Sequence, residues 1–137
     1  MSSSKPASAS SILASLAAGV YAVRPSDADG WRGLSQAAGL QWLTVDGSRL
    51  RDKDGLIKAV GDALRFPDYF RRNWDAFEEC LTDLSWLDEA GVVLMVGPLD
   101  ALAAKAPKDR DTFMAIARDA AEAAAGTSRP LWVLVVE

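Results

Sequence analysis

The chain has 137 residues, half of them hydrophobic and a quarter charged, with fifteen lysines and arginines against nineteen acids for a net charge of −4. That length and balance suit one globular domain with a real core, and a pI of about 4.8 argues against nonspecific nucleic-acid binding, which needs a basic footprint. The chain has no histidine, which removes the commonest general base and metal ligand, and its single cysteine, Cys80, excludes an intrachain disulfide framework and fits a reducing compartment.

Residues 1–11, MSSSKPASASS, are low in complexity and are expected to be a disordered tail. Residues 12–40 are expected to be an N-terminal extension packed on the main domain. Within it Ser11 to Ala18 reads as a short helix and Val20 to Val23 as a short strand. A helix carrying Trp31, Leu34 and Ala38 follows, which Asp27 or Asp29 can cap and Gly39 can end. The apolar stretch ILASLAAGVYAV has one lysine before it and no clean small-x-small cleavage site, so it reads as folded protein, with a signal peptide as the alternative. No apolar run reaches the ~20 residues that cross a bilayer, and no membrane association is expected.

Residues 41–137 read as the main domain. WLTV, residues 42–45, is a strand closed by the turn pair Asp46-Gly47. Asp54 is the expected cap of a helix with Leu56, Ile57, Val60 and Leu64 on one side. VVLMV at 92–96 and LWVLVV at 131–136 are apolar at every position, as strands covered on both faces are in parallel sheets. Between them Asp109 to Ala125 reads as an alanine-rich helix ended by Gly126. Strands alternating with helices in this order predict a small parallel α/β fold.

The most informative segment is FPDYFRRNWDAFEECLTDL, residues 66–84. Asn73 is a good N-cap. At 100° per residue Trp74, Ala76, Phe77, Cys80, Leu81 and Leu84 share one side, with Trp74 and Phe77 in the core, while Asp75, Glu78, Glu79 and Asp83 share the other. Asp75 to Glu79 and Glu79 to Asp83 are i,i+4 pairs of like charge, each destabilising by roughly 0.2–0.5 kcal/mol. From Phe66 to Glu89 there are seven acids and two bases, a net −5, so the rest of the chain sums to +1. The negative charge is local, and a cationic partner accounts for it. The dipole alone would favour Asp75 near the helix start. It offers nothing to Glu79 or Asp83, for which the alternative is a solvated face.

This segment, followed by a connection, VVLMV and LWVLVV, resembles the barstar family of intracellular ribonuclease inhibitors over roughly Gln41 to Glu137. The matching spacing is Pro-x-Tyr-x-x-x-Asn-x-Asp-Ala-x-x-x-Cys-Leu-Thr. The resemblance implies a three-stranded parallel sheet packed with helices, to which the N-terminal extension would add one strand and one helix. It implies a cytoplasmic inhibitor of a basic secreted or toxin ribonuclease, in an immunity role in a bacterium, monomeric when free, with no cofactor, no metal and no catalysis. The partner-binding positions it implies are Tyr69, Asn73, Trp74, Asp75, Glu79 and Thr82, with Glu78 and Asp83 on the same acidic face.

Several residues depart from the family's pattern. Glu79 stands where the family's inhibitor has an aspartate, Glu78 where it has a tryptophan, Arg71 where it has a glycine, and Trp74 where it has a smaller apolar residue. For an acid on the last long helix, Asp119 and Glu122 are the candidates. The alternative to inhibition is a non-catalytic interaction module that binds another basic protein. The residues offer little to an enzyme: there is no P-loop, GxGxxG or CxxC, and a helix stripe gives paired carboxylates no concave site.

Overall fold

The computed structural model describes residues 17–67, 70, 72–87 and 90–137. Four strands, β1 (Val20–Val23), β2 (Gln41–Asp46), β3 (Val92–Gly97) and β4 (Leu131–Val136), form one sheet in the order β1-β4-β3-β2. All three pairings are parallel, with Leu94 of β3 in register with Leu43 of β2 and Val133 of β4, and Val20 of β1 with Val133. The expected sheet is therefore present, and the extension lengthens it by one strand at the β4 side.

Five helices connect these strands: α1 (Ala28–Ala37), α2 (Lys53–Ala63), α3 (Trp74–Asp83), α4 (Asp100–Lys105) and α5 (Pro107–Ala124), with a 3-10 turn at Pro25–Asp27 before α1. Successive strand side chains point to opposite faces, and the two faces are covered differently. Val45, Val92, Leu94, Val96, Leu131 and Val133 pack with α2 to α5 around Phe77 and Phe113. Val93, Met95, Trp132, Leu134 and Val136 meet α1 through Ala28, Trp31, Leu34 and Ala38. Burial on both faces is why β3 and β4 are apolar throughout.

Several boundaries differ from the sequence reading. The cap of α2 is Asp52, not Asp54: Asp52 is extended (φ −150°, ψ 173°) and its carboxylate accepts from Gly55 N at 2.8 Å, leaving Asp54 in the first turn. Asp27 precedes α1 but spends its carboxylate on Arg24 N at 3.0 Å, closing the 3-10 turn. The long helix starts at Pro107, whose missing N–H costs nothing at a helix start, and the short α4 before it was not anticipated. Gly39 and Gly126 follow their helices at φ +76° and +78°, as expected of residues that end them. The expected tail and most of the helix expected from Ser11 lie outside the described residues.

At the C-terminal ends of β2 and β3 the backbone is tightly closed. A Cβ on Gly47 would lie 2.5 Å from Pro98 O and 2.9 Å from Gly97 Cα, so only glycine allows the two loops to meet there.

Candidate protein-binding site

Helix α3 begins as its sequence dictates. Asn73 is extended and its Oδ1 accepts from Ala76 N at 2.8 Å, satisfying one of the free N–H groups of the first turn. Phe77 is fully buried, Cys80, Leu81 and Leu84 are buried, and Trp74 and Ala76 are half-buried. The Trp74 ring meets Phe77 edge-on at 5.6 Å, and Phe77 in turn meets Phe66 at 5.9 Å and Phe113 of α5 at 6.1 Å. The apolar stripe thus fixes the helix against the core and turns its other face outward.

On that outer face Asp75, Glu79, Thr82 and Asp83 are exposed, whereas Glu78, one turn after Trp74, is half-buried. None of the four carboxylates has an ion pair among the described residues, where the ion pairs are Lys58–Asp62 and Arg110–Asp111. Asn73 has its carbonyl oxygen engaged by the cap, which leaves its NH₂ group for a partner. Tyr69 lies outside the described residues. Burial, and then the nearby charges of Glu79 and Asp83, push the Cys80 thiol above its ordinary value, so this cysteine behaves as a small apolar residue.

Two residues that hold this helix in place were missed by the sequence reading. Trp86 Nε1 donates to Leu64 O at 2.9 Å, tying the segment after α3 to the end of α2. Arg129, in the loop before β4, donates from a guanidinium nitrogen to Leu84 O at 3.2 Å. A cation there also favours the negative end of the helix dipole. Trp86 carries a weak signal in sequence, because a buried indole N–H needs an acceptor. Arg129 carries none, being 45 positions from its acceptor.

The structure also separates the two candidate acids of α5. A shallow depression between the ends of α3 and α5 is lined by Thr82, Asp83, Ala123, Thr127 and Arg129. Asp119 lies one helical turn before Ala123 and so shares that flank. Glu122 lines a different depression, with Arg118 and the start of β1. Both acids are exposed.

The parallel sheet thus carries on one side a helix whose outward carboxylates have no ion pair among the described residues. Among the described residues no three histidine, cysteine, aspartate or glutamate side chains converge as a metal site, and no helix is long and apolar enough to cross a membrane. The family model described as Barstar (barnase inhibitor) matches residues 40–136, well over half of the chain. The chain belongs to the barstar family. Its role is accordingly that of a ribonuclease inhibitor acting by protein–protein contact, and it is not an enzyme. A search of curated proteins finds no match.

Proposed function

We propose that this protein inhibits a basic ribonuclease, secreted or borne by a toxin, by laying α3 across its active site. A site built to hold RNA phosphates is lined with cations, and Asp75, Glu79 and Asp83 present carboxylates in their place. RNA is then blocked from the site. The observation that carries this reading is the outward stripe of carboxylates, without ion pairs among the described residues, on a helix held at both ends. Charges left unneutralised in the free protein are available to steer and pair with a cationic partner.

Tyr69, Asn73, Trp74, Glu78 and Thr82 complete the contact surface in this reading, and Asp119 is the acid of α5 positioned to join it. The inhibitor acts as a monomer in the bacterial cytoplasm, protecting the cell from the ribonuclease. Titration against a panel of small microbial ribonucleases tests the proposal. At least one enzyme should lose RNA cleavage at an equimolar ratio. Its association should slow as the Debye length falls from about 10 Å at 0.1 M salt to about 3 Å at 1 M. Association rates that stay flat over that range would remove the electrostatic mechanism, and a panel left wholly active would leave the interaction-module alternative.

A further inference from the structure

The acidic stripe has a cationic neighbour. Arg72, exposed and immediately before the cap Asn73, lines a depression of about 210 Å³ between α2 and the loop that leads into α3. Phe66 and Phe70, whose rings meet edge-on at 4.9 Å, are among its lining residues, as is Gly61, where a Cβ would come within 3.3 Å of the Phe66 ring. The opposite wall carries Lys58 and Asp62, which neutralise each other at 2.7 Å. Arg72 has no carboxylate partner among the described residues, so among the described residues that line the depression one positive charge is left over. Arg65, also exposed, follows α2 close by in the chain, and Arg71 is the sequence neighbour of Arg72.

Arg72 is three positions before Asp75 and next to the cap Asn73, so a partner seated over the start of α3 lies close to this arginine. Were the partner uniformly basic there, the like charges would oppose docking. We infer that the partner's surface changes sign at this edge: a carboxylate side chain bordering its basic cleft seats in the depression against Arg72. This rests on the inhibitor reading above and adds to it the kind of ribonuclease that fits, one with an acidic residue beside its cluster of cations.

The test uses the full chain and each ribonuclease of the panel that it inhibits. Arg72→Glu should raise the inhibition constant about tenfold or more, chiefly by slowing association, as reversal of a charge at an interface rim does. Its melting temperature should not move, because the side chain is exposed. Changing the enzyme's bordering carboxylate to lysine should restore inhibition by Arg72→Glu. If Arg72→Glu inhibits as well as the parent, or better, the inference is overturned. Asp75→Asn and Glu79→Ala, measured alongside, separate the two readings. Weakened inhibition by those two with an unaffected Arg72→Glu rejects only the acidic edge. No effect from any of the three, or no enzyme inhibited at all, rejects both.

Discussion

At the scale of single residues, α3 divides into buried side chains that serve the fold and exposed acids that the proposed function assigns to a partner, and the two groups should respond oppositely to substitution. Glu79→Ala and Asp75→Asn should weaken binding by about 2–5 kcal/mol each, since each leaves a basic group of the partner buried and unpaired. Neither should harm the fold. Losing Glu79 relieves two like-charge spacings worth roughly 0.2–0.5 kcal/mol apiece, and Asp75 gives up only its share of the dipole. Phe77→Ala should cost roughly 3–5 kcal/mol of stability, because the cavity lies where three rings meet. Thermal melts and binding isotherms on the three variants decide the point; acidic variants that melt like Phe77→Ala would reverse the assignment of faces. Cys80 adds a pH dependence. Its folded thiol is held above the ordinary value by burial and then by the charges of Glu79 and Asp83. The stability this contributes is complete below the unfolded thiol value and is lost as pH rises through the raised folded one. Native protein should therefore alkylate slowly with iodoacetamide at about pH 8, and quickly once denatured. Fast stoichiometric labelling of the native chain would contradict the burial.

For the elements, each end of α3 adds its own contribution to stability. Leu84 sits at φ 49°, a left-handed conformation that costs an L-residue roughly 1–2 kcal/mol and that glycine adopts freely. Yet Leu84 is buried, and losing such a side chain costs about 2–5 kcal/mol, so packing outweighs strain. Leu84→Gly should lower the melting temperature, and a rise would mean that the turn, not the contact, dominates. Asn73→Ala should cost about 0.5–2 kcal/mol through the lost cap, measurable by denaturant titration. How much of this was legible in sequence follows from range. The apolar and acidic faces of α3 and the cap at Asn73 depend on neighbours within a turn, and they are written in the order of residues. Asp52 and Asp54 were not separable, because the choice depends on which of them becomes extended. Helix α4 is six residues of mostly small side chains with Leu102 as its buried residue, too short to show a period. Trp86 and Arg129 act on carbonyls 22 and 45 positions away, and nothing local marks such a contact.

In the whole molecule, β1 changes the character of the sheet. Without it β4 would be an edge, and six consecutive apolar residues on an open edge invite pairing with another chain. The four-residue β1 replaces that edge with a shorter one whose Ala22 is exposed. Deleting residues 1–24 should lower the melting temperature and produce concentration-dependent association, read by light scattering. A truncated chain that stays monomeric and equally stable would show that β1 is dispensable. The register of β1 on β4 also sets an order of events. The earliest strand of the four to leave the ribosome pairs only with the latest, so β1 has no partner while β2 and β3 are being made. The acidic helix can pack on α2 and α5 before β4 arrives, but the sheet closes only afterwards. A nascent chain stalled short of β4 would hold a protease-sensitive N-terminus, so the finished fold waits on the synthesis of its own final strand.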